Sequence, residues 1–341
     1  MNHHSSLVQP LFSGDIDVIG DIHGEIGALY SLLDRLGYNA DGVHKQGRKL
    51  VFVGDLVDRG PDSVAVCSLL KDMWEKENAQ IVMGNHELNI LRRKVETYNA
   101  WYHGSDHLKS AHLIKDTHNH KIKEHVSLQR GYPPYTSDWI RDFFMQLPVA
   151  LERENIRVVH SCWDQDAVNA LRTGEQNPLK RYLLEEEHCI ATFTPSYSDA
   201  KRQKAERDLH KQNNNPVKLL TSGPEYMGKE FIVHGNARLT HRKKWWEEYK
   251  DKPKVIFGHY WRRRSKKCKD VRTAPPPYLF NGIKKYAWLG NTFCIDYSVG
   301  ARYMERAASK KQGTFSSYLC ALRVFGNSYE LLFDDGLHKH I

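Results

Sequence analysis

The chain has 341 residues, 40% of them hydrophobic and 27% charged, and its 50 Lys and Arg outnumber 41 Asp and Glu to give a net charge of +9. That is the make-up of a globular protein with enough chain for a full core, as one large domain or two small ones. No apolar run reaches the about 20 residues a membrane-spanning helix needs, and the positive excess favours an anionic partner without naming it.

Met1 to Pro10 is polar and lacks the basic start and apolar stretch of a secretory signal, which makes a cytoplasmic location the expectation, with effector-type secretion lacking a cleaved signal as the alternative. The six cysteines, Cys67, Cys162, Cys189, Cys268, Cys294 and Cys320, include no C-x-x-C pair. They read as reduced, mostly buried thiols rather than a disulfide framework.

Strand and helix signals alternate over the first ninety residues. Asp17-Val18-Ile19 is a short strand, and Ile26, Leu29, Leu32, Leu33 and Leu36 then recur at helical spacing. Lys49 to Val53 predicts a second strand, Val64, Leu69, Leu70 and Met73 a second helix, and Ile81-Val82-Met83 a third strand. Such alternation predicts parallel strands with right-handed crossovers and ligands at their carboxyl ends.

Residues 88–147 form a helical, histidine-rich insertion, with His103, His107, His112, His118, His120 and His125 at spacings that fit no single metal site; it reads as a solvated cap. Residues 164–218 form a second variable insertion, charged and helix-prone. Strand signals return at Arg157-Val158-Val159, Val255-Ile256-Phe257 and Phe293-Cys294-Ile295. A hairpin is expected around Gly326-Asn327. With no repeat and no clean linker, 1–341 reads as a single domain with insertions.

Five segments end predicted strands with polar ligands: Gly20-Asp21-Ile22-His23-Gly24, Gly54-Asp55-Leu56-Val57-Asp58-Arg59-Gly60, Gly84-Asn85-His86-Glu87, Val159-His160-Ser161 and Gly258-His259. Each alone is a turn with a capping side chain; their shared grammar is the signal. Asp and Asn oxygens mixed with His nitrogens suit manganese, iron or zinc better than magnesium or calcium. Hydrolysing a phosphate ester needs a hydroxide at neutral pH and compensation for phosphoryl charge, which two cations about 3.5–4 Å apart provide when one carboxylate bridges them.

The Gly-Asp-Ile-His-Gly, Gly-Asp-Leu-Val-Asp-Arg-Gly and Gly-Asn-His-Glu segments resemble, in residues, order and spacing, the signature of the calcineurin-like metallophosphoesterases. The resemblance is to the branch of PPP-type serine/threonine phosphatases and symmetrical diadenosine-tetraphosphate hydrolases. It covers Asp21 to Glu87 closely and thins to the two histidine segments and the C-terminal strands. It implies an α/β fold (α+β by some schemes), a layered β-sandwich flanked by helices. It also implies two divalent metal ions, manganese first, with iron, zinc or nickel as alternatives.

By position, the resemblance implies that Asp21 and His23 hold the first metal, Asp55 bridges, Asn85 and His160 hold the second, and His259 completes the first site. His86 would be the general acid, Asp58 its orienter, and Arg59 the phosphate clamp. Arg238 and Arg242 are candidates for a second phosphate-binding arginine, or else a solvated basic helix start. Glu87 reads as a helix N-terminal carboxylate, and Asp296 as an orienter of a ligand or a strand-end turn. After His160 the protein phosphatases carry Gly-Gly where this chain has Ser161-Cys162-Trp163.

The basic run from Arg262 to Lys269 would draw a polyanion to the mouth of the site, or is a soluble loop. The expected function is a metal-dependent phosphoesterase, of phosphomonoesterase or serine/threonine-protein-phosphatase type, acting through a two-metal-activated hydroxide. The alternatives are a symmetrical bis(5'-nucleosyl)-tetraphosphate hydrolase and a polynucleotide phosphatase. The expected partner is a phosphoprotein, nucleotide or small phosphoester; nucleic acid has thin support in Trp245, Trp246, Tyr260 and Trp261. The rival is an interaction scaffold that kept the fold without turnover, and it would lack ligands or the acid.

Overall fold

The computed structural model describes residues 6–103, 137–233, 236–264, 277–280, 283–308 and 315–341. Strands are β1 Val8–Pro10, β2 Ile16–Ile19, β3 Lys49–Phe52, β4 Ala79–Ile81, β5 Ala150–Arg153, β6 Ile156–Val159, β7 Glu225–Val233, β8 Asn236–Arg242, β9 Lys254–Phe257, β10 Thr292–Cys294, β11 Cys320–Phe325, β12 Ser328–Phe333 and β13 His338–His340. Helices are α1 Ile26–Leu36, α2 Ser63–Glu75, α3 Asn85–Leu91, α4 Ala100–His103, α5 Ser137–Phe144, α6 Gln165–Leu171, α7 Pro178–Thr192, α8 Ala200–Asn214, α9 Pro216–Ser222 and α10 Arg302–Ala308.

Two mixed sheets carry the molecule, one in the order β1-β5-β6-β9-β10 and one in the order β13-β12-β11-β2-β3-β4. The expected parallel run is there: β2, β3 and β4 pair in parallel, Ile19 opposite Phe52 and Phe52 opposite Ile81. Side chains alternate faces along a strand, so each sheet presents two apolar sides. Ile16 and Val18 of β2, Val51 of β3, Val158 of β6 and Ile256 of β9 point into one shared cluster between the sheets. Ile19, Phe52, Val159 and Phe257 point the other way, into clusters with the helices. The result is helices, sheet, sheet, helices: an α/β sandwich.

Local chemistry sets the element ends. Asp62 caps α2 by accepting from Ala65 N–H at 2.9 Å, and α1 stops at Gly37, whose φ of 88° a side chain would resist. The hairpin of β11 and β12 turns at Gly326-Asn327, Phe325 opposite Ser328. Most of the stretch 164–218 is helical, as α6 to α9. The histidine-rich stretch lies largely outside the described residues, as do Lys266, Lys267, Cys268 and Lys269. Arg262 departs from the soluble-loop expectation: it is 1% exposed, and its guanidinium donates to the carbonyls of Cys294, Lys284 and Ala287. Arg264 is tied to Asp335 and lies 3.4 Å from the Tyr318 ring centroid. The basic run is therefore partly structural.

Candidate active site

Asp21, Asp55, Asn85, His160, His259 and Asp296 each follow a strand at its carboxyl end, three from one sheet and three from the other, so the sheet edges bring distant sequence together. The loops that do this carry non-glycine residues in left-handed backbone: φ is 48° at His23, 49° at Asp55, 74° at Asp58, 71° at Arg59 and 64° at His259. Each such residue costs of order 1–3 kcal/mol, and this concentration marks a place where geometry is favoured over local stability. Gly258 is required here for another reason: a Cβ would fall on Asp21 Oδ1.

Asp55 sits between two sets of imidazoles. Its Oδ2 lies 3.6 Å from His23 Nε2 and 3.8 Å from His86 Nε2, while Oδ1 lies 3.3 Å from His160 Nε2. His23 Nδ1 is 3.1 Å from Val57 O and His160 Nδ1 is 2.7 Å from Val53 O. A carbonyl can only accept, so both rings carry a proton on Nδ1 and turn Nε2 inward; neutral His23 offers a lone pair there, and His160 offers one once a cation displaces its second proton. Ligand atoms of His23, Asp55 and His86, and of Asp55, His160 and His259, lie within 4.8 Å of one another. One point departs from the resemblance. The His259 imidazole does not join Asp21 and His23: its Nδ1 is 2.8 Å from Asn85 Oδ1, beside His160, and only its backbone N–H reaches Asp21, at 3.1 Å.

The charges of the cluster fit divalent cations. Burial, and then the neighbouring Asp296, push the Asp21 carboxyl well up from its usual range, and burial pushes Asp296 up to about 6. Burial also opposes charge on Asp55 and His160, but their mutual attraction outweighs it, holding Asp55 low and raising His160 to about 10. Burial with the Arg59 cation keeps His23 neutral, and burial with Arg242 does the same for His259. Asp296 Oδ1 accepts from Ser298 N–H at 2.7 Å, but buried Oδ2 has no hydrogen-bond partner among the described residues. Crowded buried carboxylates, one with an orphaned oxygen, beside the neutral imidazoles of His23 and His259 are a donor set for cations.

Beside them, His86 Nδ1 meets Asp58 Oδ2 at 2.6 Å, and Trp101 Nε1 donates to Asp58 Oδ1 at 2.6 Å. Arg59 donates toward His23 Nε2 at 2.7 Å and His86 Nε2 at 3.2 Å, and lies 5.7 and 5.0 Å from the ring centroids of Tyr98 and Trp261. Trp101 and Tyr98 carry no motif signal, and only their closeness in space to the motif residues reveals them; Trp261 stands beside the last histidine segment, but nothing there assigns it a place against Arg59. Glu87 is a helix-start carboxylate, as expected, and more: it accepts from the backbone N–H of Gly84, Asp55 and Leu56, locking α3 to the Asp55 loop.

The structure separates the two candidate arginines. They lie on β8 of the two-stranded β7–β8 ribbon, not at a helix start. Arg242 reaches His259 O at 3.4 Å and lies 5.5 Å from the Tyr260 ring centroid, whereas Arg238 is ion-paired to Glu225. Both arginines, with Asn85 and His259, line a cavity of about 690 Å³.

A sandwich of two mixed sheets with Asp, His and Asn side chains converging at strand ends around a shared carboxylate defines the metallophosphoesterase class. Residues 14–189 match the family described as calcineurin-like phosphoesterase, and the chain belongs to that family. It is 34% identical over 151 residues to a bis(5'-nucleosyl)-tetraphosphatase PrpE [asymmetrical] of Geobacillus sp. (strain WCH70), covering 42% of this chain and 55% of that one. It is 43% identical over 234 residues to the protein of the same name from Bacillus thuringiensis (strain Al Hakam), covering 65% and 78%. The chain thus spans about half the length of the first of these relatives. Among solved structures, a cold-active protein-tyrosine phosphatase of a psychrophilic Shewanella species shares the fold, with a TM-score of 0.51 at 13% identity, covering 100% of this chain and 84% of that one. No helix among the described residues is long and apolar enough to cross a membrane.

Proposed function

We infer that the chain is a metal-dependent phosphoesterase, and the observation that carries this is Asp55, whose two oxygens face two separate sets of imidazoles. Asp21, His23 and Asp55 would hold one divalent cation, and Asp55, Asn85, His160 and His259 the other. When bound, the pair supplies a water that ionises near neutral pH and neutralises charge on the phosphoryl oxygens. Mixed imidazole and carboxylate donors suit manganese, iron, zinc or nickel, and the family resemblance puts manganese first.

The chain's own residues do the rest. Arg59 binds phosphoryl oxygens: its planar fork carries more donors than the two imidazole nitrogens it now meets, and the Tyr98 and Trp261 rings keep it in plane. His86 delivers the proton from Nε2 to the leaving oxygen, while Asp58 on Nδ1 orients the ring. Trp101 fixes Asp58. Arg242, beside His259, is the better second phosphate ligand, because Arg238 is already paired with Glu225. The presence of every ligand and of the acid pair argues against a scaffold without turnover. The five cysteines among the described residues are free and buried, which supports a reducing, cytoplasmic setting.

A phosphomonoester, carried by a nucleotide, a protein or a small molecule, is the general substrate. The names of the relatives favour a second reading, cleavage of a dinucleoside tetraphosphate, and they favour asymmetrical cleavage over the symmetrical kind that the motif resemblance implied. The full chain, stripped with chelator and reloaded with manganese, should release phosphate from p-nitrophenyl phosphate. With diadenosine tetraphosphate, ATP plus AMP marks asymmetrical cleavage and two ADP the symmetrical kind. Absence of ion-dependent turnover on every such ester would remove the assignment.

A further inference from the structure

The cavity that shares Asn85 and His259 with the candidate centre extends away from it over surfaces that the family match, ending at residue 189, does not reach. Its far wall is α8, α9 and the β7–β8 ribbon, with α8 packed on the ribbon and α9 packed on α3, the helix that starts with Asn85 and His86. Lys201, Lys204 and Lys211 are spaced by three and seven residues on α8, one turn and about two turns, and therefore share one face. Lys218 joins them from α9. Eight Lys and Arg side chains and three carboxylates line the cavity.

Lys94, Lys201 and Arg238 are ion-paired to Glu96, Glu230 and Glu225, but the rest of these cations are poorly compensated. Lys211 and Arg92 share one carboxylate, Glu186, at 3.5 and 3.9 Å. Lys204 and Lys218 make no ion pair among the described residues, and Lys218 is half-buried. Burial, then the adjacent charges of Arg92 and Lys211, lower the Lys218 ammonium to about 8. Like charges forced together in a partly desolvated groove destabilise the fold unless an anion sits among them. α8 has little reason of its own to be ordered in this way, since Gln212 is its one buried residue.

We propose that this groove seats the phosphate chain of the substrate beyond the phosphorus being attacked, an oligophosphate of three or more phosphates held by Lys204, Lys211 and Lys218. The proposal rests on the hydrolytic assignment of the adjoining centre. The cavity volume suits a small molecule. A polynucleotide would want aromatic platforms for its bases, and Tyr98 is the one aromatic residue among the described lining residues.

The test compares the manganese-loaded full chain with Lys204→Ala/Lys218→Ala and Lys204→Arg/Lys218→Arg variants. Inhibition by inorganic tripolyphosphate and by orthophosphate is measured against hydrolysis of p-nitrophenyl phosphate. Each charged contact is worth about tenfold. The alanine variant should therefore raise the tripolyphosphate inhibition constant, relative to that for orthophosphate, by about a hundredfold, and the arginine variant should restore it. A merely structural role would move both constants together. An unmoved ratio, or one that moves only for a 5'-phosphorylated oligonucleotide used as competitor, overturns the proposal while turnover of the aryl ester leaves the hydrolytic assignment standing. An unaltered chain with no turnover overturns the assignment, and the groove falls with it as a substrate site.

Discussion

Both oxygens of Asp58 are committed, one to His86 and one to Trp101, and the residue is buried with φ at 74°. Burial pushes its carboxyl up despite those two bonds, so losing either should loosen its hold on the imidazole. Trp101→Phe keeps the ring and removes the donor. Expected is a fall in kcat of about tenfold on an alkyl phosphate, whose leaving oxygen needs the proton, and a smaller fall on p-nitrophenyl phosphate, whose leaving group does not. His86→Ala should show the same selectivity at about 10²- to 10⁴-fold. Equal losses on both esters for His86→Ala would show that its role is not proton donation.

At the scale of elements, β2 is held at its start by ionic contacts as well as by its ladder. Asp17 is fully buried and accepts from Tyr38 Oη at 2.8 Å, Arg48 Nη2 at 2.8 Å and Arg323 Nε at 3.1 Å, tying β2 to α1, β3 and β11. Asp17→Asn would leave Arg323 facing no anion and Arg48 only the half-exposed Asp15, at 3.3 Å, and removing one partner of a buried pair costs about 3–5 kcal/mol. Urea unfolding should show a lowered midpoint with unchanged slope; a loss under about 1 kcal/mol would mean that the cluster is effectively solvated. Elements of this kind also explain what the sequence disclosed. The motif ligands were legible because each lies within a few residues of a strand whose apolar run is visible locally, as with Ile19 before Asp21 and Phe257 before His259. Trp101 was not, because 43 residues separate it from Asp58. The β7–β8 ribbon was hidden by a pattern broken at Gly228-Lys229, where the register shifts between Met227 and Phe231. The side on which the His259 ring falls was not legible either, since its partner Asn85 is 174 residues away.

At the scale of the whole molecule, the charge of +9 is distributed with purpose if the groove beside the centre takes an oligophosphate. Such attraction acts over about a Debye length, 8 Å at physiological salt, so distant surface lysines contribute little and the groove cations contribute most. Lys218 makes this testable by pH. Its pKa in the fold, about 8, lies below its ordinary 10.5. The unfolded chain therefore binds more protons between those values, and this one group makes folding more favourable as pH rises from about 8 to 10.5. For anion binding the sense is opposite: the ammonium is present below pH 8 and lost above it, so the tripolyphosphate inhibition constant should climb between pH 7 and 9.5. Lys218→Arg stays charged across that interval, and the difference between the two proteins cancels the titration of tripolyphosphate itself. A bound polyanion also favours the charged lysine, so binding at about pH 9 should take up protons in the unaltered chain, visible as a buffer-dependent heat in calorimetry, and fewer in Lys218→Arg. If the two proteins keep parallel pH profiles and equal proton uptake, Lys218 does not face the anion.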